Sequence, residues 1–266
     1  MPLYDKENYK APYDYLISKD IVEYDIEKAN ISILYTMGKI SKSKYESLKS
    51  MDNYKRKVNV GYILRDNPKL NDTLKEGLYR CREWLFHNNN IEDTHVLYIN
   101  RDAVSTIDTP LTNLSINDII HFRRKDVYTS FYRLIDGIDM LYYNDNDKEY
   151  IRFKYINDDS IKHYHGEYLV DFLLSLAYTA QNGDIIDCVD MVKNFFIEYR
   201  DKKLPLGYYR EFNHTNRYKI GFSRVYSYYV DKLDSSTSIY SIDIGYNSLL
   251  LRKLYKIFTN IYFMTR

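Results

Sequence analysis

Ile21-Val22-Glu23-Tyr24-Asp25-Ile26, followed at once by Glu27-Lys28-Ala29-Asn30-Ile31-Ser32-Ile33-Leu34, decides how this chain is read. The first six residues read as an apolar strand that carries an aspartate to its end, and the next eight open a helix. A counterpart lies further on, in Val96-Leu97-Tyr98-Ile99-Asn100-Arg101-Asp102-Ala103-Val104, where a second strand reverses through a tight turn. The two aspartates, Asp25 and Asp102, are 77 residues apart. Two carboxylates on neighbouring strand ends can hold two divalent cations, the basic equipment for phosphoryl transfer. A lone strand-end aspartate is more often a turn or cap residue. The weight therefore rests on order and spacing, not on either residue alone.

Working outward, the helix after Asp25 should end near Gly38, and Ser41 reads as the N-cap of a short helix reaching about Leu48. Residues 54–64 are basic, then apolar around Gly61. Leu70, Leu74, Leu78, Cys81 and Leu85 recur at helical spacing, with Asn71 as a candidate cap and Asn88-Asn89-Asn90 as the stop. Trp84 lies beside that stripe and reads as core. Strands are expected at 95–99 and 103–107, then an antiparallel meander over 119–123, 127–135, 138–143 and 149–156. From Gly166 the pattern turns helical, with amphipathic segments at 167–182, 185–200 and 246–263.

The composition narrows the function classes. With 38 basic and 37 acidic residues the net charge is +1, so there is no chain-wide basic footprint. The charge is unevenly spread: residues 39–82 and 191–266 are rich in Lys and Arg, whereas 134–190 are acidic. Two cysteines, Cys81 and Cys188, cannot build a disulfide framework or a zinc site and read as buried thiols. No stretch reaches the roughly 18 apolar residues of a membrane span, and no secretion signal stands at the start. A cytoplasmic setting, with no membrane partner, is the expectation. The 31 tyrosines, with abundant Asn, Lys and Ile, fit an AT-rich genome of a low-GC bacterium or its phage.

A two-metal site also needs cations that neutralise a triphosphate. Lys55, Arg56 and Lys57 lie between the two aspartates, and Arg123, Arg124 and Lys125 follow them. Glu23 shares a strand face with Asp25 and is a candidate third metal ligand. Glu27 reads as a helix-terminus residue. His163 and His165 lack further ligands at metal spacing and read as turn residues. Gly207-Tyr208-Tyr209-Arg210-Glu211-Phe212-Asn213 mixes aromatic and basic residues, and could track a single strand or pack as core.

At these residues the chain resembles the palm and thumb of family B DNA polymerases. In that family the first motif is an aspartate after a strand, then a helix opening with Ser-Leu-Tyr-Pro-Ser; here it reads Asp25-Ile26-Glu27-Lys28-Ala29-Asn30-Ile31-Ser32. The lysine-bearing motif ending in Asn-x-x-Tyr-Gly has a shortened echo in Lys55-Arg56-Lys57-Val58-Asn59-Val60-Gly61-Tyr62. The Tyr-x-Asp-Thr-Asp-Ser motif is matched by Tyr98-Ile99-Asn100-Arg101-Asp102-Ala103, after a helix bearing Gly77-Leu78-Tyr79-Arg80. Arg124-Lys125-Asp126-Val127-Tyr128 and Lys154-Tyr155 lie where the family has its primer-gripping Lys-Lys-x-Tyr and Lys-Gly segments.

The resemblance spans roughly residues 20–210 and implies an α+β fold. Residues 1–165 would form a polymerase-type palm with an antiparallel sheet, packed helices and reduced fingers over about 39–75. Residues 166–266 would form a mostly helical, thumb-like region. It implies a template-directed nucleotidyltransferase in which Asp25 and Asp102 are catalytic and, with Glu23, bind two Mg2+ ions, for which Mn2+ could substitute. Asn30, Lys55, Arg56 and Lys57 would bind the nucleoside triphosphate. Arg124, Lys125, Tyr128, Lys154, Tyr209 and Arg210 would hold primer–template or single-stranded DNA, and a replication protein could be a partner. Three departures stand out. Asn100 replaces one aspartate, Asn30 replaces the tyrosine that bars a 2′ hydroxyl, and the fingers are short with no exonuclease. The other readings are a catalytically silent palm-like protein that binds nucleic acid or a replication or host partner, and a phage interaction protein with an accidental likeness.

Overall fold

The computed structural model describes residues 2–134, 138–145, 148–154, 171–201, 203 and 245–264. It is an α+β fold with a seven-stranded antiparallel sheet and, among the described residues, seven α-helices. Strand order is β1 (Asn8–Lys10), β3 (Val96–Asn100), β4 (Ala103–Ile107), β2 (Tyr15–Ile26), β5 (Phe122–Arg133), β6 (Asp139–Asp145), β7 (Lys148–Lys154). The helices are α1 (Ala29–Thr36), α2 (Lys42–Lys49), α3 (Asn53–Asp66), α4 (Lys69–Asn88), α5 (residues 171–182), α6 (Ile185–Arg200) and α7 (Gly245–Met264). The chain divides into two compact units, residues 1–12 with 20–127, and residues 13–19 with 128–266. β2 and β5, each 12 residues long, supply residues to both. The boundary expected near 160–166 lies outside the described residues, and β6 and β7 group with the later helices.

In the first unit, period-two alternation on β2 sends Val22, Tyr24 and Ile26 into a core shared with Val96, Ile99 and Val104. Ile33 and Leu34 of α1 and Leu74, Cys81 and Leu85 of α4 pack onto the same core. Each fully buried aliphatic side chain there contributes about 1.5–3 kcal/mol. The other face of β2 carries Glu23 and Asp25, opposite Ser105 and Ala103 of β4. Ala103 and Ser105 are small, which leaves room for the acidic side chains. The β3–β4 reversal takes two residues, since Asn100 pairs with Ala103, and Arg101 adopts a left-handed φ of 53°.

Local chemistry sets the helix ends. The Ser41 hydroxyl accepts from the Lys44 N–H at 3.2 Å, the cap expected from the sequence. Helix α1 starts at Ala29 rather than Glu27, because Lys28 is left-handed, at φ 51°. Helix α4 starts after Pro68, whose ring fixes the entry dihedral, so Asn71 lies inside the first turn and donates back to the Pro68 carbonyl. Residues 53–66 form a helix capped by Asp52, which accepts from Lys55 N–H at 2.9 Å.

The second unit packs its strands and helices around a separate core. Tyr132, Met140, Tyr142 and Phe153 come from the strands, and Leu173, Leu176, Val192, Phe195, Leu254 and Phe258 from α5, α6 and α7. Arg133 Nε donates to the buried Asp139 carboxylate at 3.1 Å across the β5–β6 pair. Burial pushes the Cys81 thiol up to about 11 and the Cys188 thiol up to about 12. Among the described residues no helix is long and apolar enough to cross a membrane.

Two glycines give opposite tests of helix packing. A Cβ on Gly77 would collide with Ile33 Cγ2 and sit 3.1 Å from Met37 Sδ, where α4 crosses α1. Gly61, inside α3, has nothing within 4 Å of a would-be Cβ. Gly77→Ala is expected to lower stability by about 1–3 kcal/mol despite its better helix propensity. Gly61→Ala should raise stability by up to about 1 kcal/mol. Thermal or urea unfolding of the two variants checks both signs.

Candidate active site

Strand β2 delivers Asp25 to its C-terminal end, and the β3–β4 turn delivers Asp102 next to Ala103, the residue opposite Asp25. Both carboxylates line one cavity of about 510 Å³, built entirely within the first unit. Its wall continues through Asn30 at the start of α1, Arg56 and Lys57 on α3, and Leu78 on α4. Arg101 from the turn, with Arg123 and Lys125 from β5, completes it.

The carboxylates already carry cations. Arg123 Nε donates to Asp25 Oδ1 at 2.7 Å and its Nη2 to Oδ2 at 3.4 Å, a two-point contact. Lys125 Nζ donates to Glu23 Oε1 at 2.8 Å, and Glu23 is almost fully buried beneath it. The Glu27 N–H donates to the His121 carbonyl at 2.9 Å, so His121, Arg123 and Lys125 meet Glu27, Asp25 and Glu23 in antiparallel order along the neighbouring strands β2 and β5.

The electrostatics follow from these contacts. Burial raises the Asp102 carboxyl above the usual range. The Asp25 charge adds to that rise, while its own backbone N–H, Lys125 and Arg101 oppose it. The hydrogen bond to Asp25, and then its charge, hold the Arg123 guanidinium above the ordinary arginine value. Burial alone would lower the Lys125 ammonium, but the hydrogen bond and charge of Glu23, with Asp25 and Asp126, outweigh it and raise it. Six cationic side chains line the cavity, Lys28, Arg56, Lys57, Arg101, Arg123 and Lys125, against the carboxylates Asp25 and Asp102. Four of the six already meet a carboxylate at 4.0 Å or less, Lys28 at Glu27, Arg101 at Glu7, Arg123 at Asp25 and Lys125 at Glu23.

Not every residue singled out from the sequence reaches this cavity. Lys55 faces solvent and lies 3.5 Å from Asp52 Oδ2. Consecutive helical residues are turned by about 100°, so Arg56 and Lys57 can line the wall while Lys55 does not. Arg124 is exposed, on the strand face opposite Arg123 and Lys125. Glu23 is committed to Lys125. Tyr128 and Lys154 belong to the second unit, where the Tyr128 hydroxyl accepts from Arg152 Nη1 at 3.3 Å. Tyr209, Arg210, Tyr155, His163 and His165 lie outside the described residues.

Among the described residues no three His, Cys, Asp or Glu side chains come together as a metal cage. The donor set here is Asp25 and Asp102. These are the two cavity side chains that could hold a divalent cation, and Arg123 meets Asp25 at both of its oxygens.

The family model for the bacteriophage PBS1 gene 130 protein matches residues 1–259. The chain belongs to that family. Comparison with curated proteins gives no match. Membership of the PBS1 gene 130 family agrees with the phage source expected from composition.

Asp102 supplies a test that needs no substrate. Its folded-state pKa is raised, so the fold prefers the protonated acid. Stability is therefore lost as pH climbs from the unfolded-state pKa, about 3.9, through the folded value. Asp102→Asn is expected to raise the melting temperature near neutral pH in the presence of a chelator. The gain should shrink as pH is lowered through the folded value, where the wild-type carboxyl takes up its own proton. Melting curves of the two proteins across that range decide it.

Proposed function

We propose that the chain is a template-directed nucleotidyltransferase resembling a minimal family B DNA polymerase. The observation that carries the reading is the convergence in one cavity of Asp25, Asn30, Arg56, Lys57, Asp102 and Lys125. These residues span a hundred positions of sequence and come from β2, α1, α3, the β3–β4 turn and β5. In this reading the 3′ hydroxyl of a primer loses its proton to solvent water and its oxygen attacks the α-phosphorus of a nucleoside triphosphate. A new P–O bond forms, the bond to the β-phosphate oxygen breaks, and pyrophosphate leaves. Arg56, Lys57 and Arg101 take the triphosphate and the charge that develops on it. Asn30 lies against the sugar. Asp25 and Asp102 would hold Mg2+, which lowers the pKa of the attacking hydroxyl and neutralises the phosphate oxygens. Lys125 would contact the primer strand.

A second reading rests on a different observation. Arg123 and Lys125 already neutralise Asp25 and Glu23, as protein cations standing where metal charge would be needed. This favours a catalytically silent palm-like phage protein that binds nucleic acid or a replication or host partner.

Primer extension with Mg2+ or Mn2+ and all eight nucleotides separates the two. The enzyme reading expects incorporation by the wild type and a loss of at least about a hundredfold in Asp25→Ala and in Asp102→Ala, both still folded. A silent palm gives no incorporation but binds DNA with an affinity that falls as salt rises. Absence of DNA binding at low salt would defeat the enzyme reading and leave, of the second, only a protein partner.

Asn30 makes a further prediction for an active enzyme. Its short amide leaves space beside the sugar and can hydrogen-bond a 2′ hydroxyl. Tyr24 does not bar the sugar, because it is buried on the other strand face and accepts from the Leu111 N–H at 2.9 Å. Ribonucleotides should therefore be incorporated at rates near those of deoxynucleotides, and Asn30→Tyr should restore deoxyribose preference. Strong deoxy preference unchanged by that substitution places the gate elsewhere.

A further inference from the structure

Arg82 is only 3% exposed, an unusual place for a guanidinium. It sits on α4 at helical spacing between Leu78 and Leu85, so it points into the packed side of the unit. Its burial is offset by hydrogen bonds to two carbonyls from distant parts of the chain. Nε donates to Tyr4 O at 2.9 Å, and Nη1 donates to Arg101 O at 2.5 Å. Arg101 is the residue whose φ of 53° turns β3 into β4, a conformation that costs a non-glycine residue about 1 kcal/mol or more. Its N–H is taken as well, donated to Glu7 O at 2.9 Å. Both backbone polar groups of the strained residue are thus pinned, one by the strand-bearing arm at residues 4–10 and one by helix α4. The next residue is Asp102.

We infer that Arg82 is a positioning residue for Asp102: by gripping the Arg101 carbonyl it fixes the turn that holds this carboxylate in the cavity with Asp25. The role rests on the nucleotidyltransfer reading of that cavity. Arg82 touches neither substrate nor metal and acts through the backbone of Arg101. The fork geometry matters, because a lysine carries the same charge but cannot reach two carbonyls in fixed directions. The arm is then part of the site's mounting, since it supplies the Tyr4 and Glu7 carbonyls and pairs β1 with β3.

Two measurements on Arg82→Lys and Arg82→Ala test this. In amide hydrogen exchange, Arg82→Lys should speed exchange at Arg101 and Asp102 by at least about tenfold, with amides of Val22–Tyr24 and Val104–Thr106 within about twofold of wild type. In primer extension, kcat should fall by at least about tenfold while the nucleotide KM stays within about twofold, because a displaced carboxylate harms the reacting geometry more than binding. Added guanidinium ion should recover part of the loss in Arg82→Ala. Should both variants fail to fold, Arg82→Gln, which keeps N–H donors without the charged fork, is read in the same two assays and should show the same selective loss. Exchange at Arg101 as fast as at exposed turns overturns the inference. Equal, unselective acceleration across the unit in Arg82→Lys, or wild-type kcat in that variant, does the same. A wild type that incorporates no nucleotide, yet shows Arg82-dependent protection of the turn, defeats the nucleotidyltransfer reading and leaves the clamp standing.

Discussion

Everything at the cavity depends on the register of β2 against β4. Asp25 faces Ala103, and Glu23 faces Ser105, because Val22, Tyr24 and Ile26 are drawn into the helix-covered core. A slip of one residue would turn both carboxylates into that core and expose three large apolar side chains. The hydrophobic effect thus aims the acidic face without any polar contact having to specify it. The two-residue turn between β3 and β4 then sets Asp102 one step along from the residue opposite Asp25. Two carboxylates remote in sequence become neighbours as a by-product of core packing.

That placement creates an electrostatic problem, which β5 resolves. Carboxylates gathered on one face repel, and the Asp25 charge adds to the rise that burial gives the Asp102 carboxyl. Arg123 and Lys125, at alternate positions of β5, meet Asp25 and Glu23 in antiparallel order. Lys125, itself 39% exposed, covers a nearly buried Glu23, so removing the lysine takes that cation from a buried carboxylate. Arg123 is more exposed and can swing away from Asp25.

Much of this was legible in the sequence where one physical signal dominated. The apolar strand ending in Asp25, the 96–107 hairpin, the Ser41 cap and the leucine stripe of α4 all carry a single period or a single capping chemistry. Helix α3 was not legible, because only Val60 on it is buried and no apolar stripe forms. β5 read as two strands, since Arg123-Arg124-Lys125-Asp126 interrupts the apolar alternation; those charges continue the strand by pairing across it. Strand β1 has three residues, too few to show alternation. Of the basic run at 55–57, the sequence could not say which two would turn inward, because that depends on where α3 docks. Arg82 did leave a trace, as a charged residue at an apolar position of the α4 repeat, but its two carbonyl partners come from the arm and the hairpin.

The β2–β5 pairing also sets the smallest piece of this chain that can stand alone. Residues 20–107 hold both aspartates, three core strands and helices α1–α4, and look like a natural unit to excise. Such a fragment would leave β2 as an open edge carrying Glu23 and Asp25 side by side on one face, with no counter-charge. Open edges recruit other chains, and paired like charges resist the very register that aligns them. A soluble fragment must therefore run through Val127, and it must keep the arm. The acidic face is stable only as part of a sheet whose neighbouring strand is made a hundred residues later.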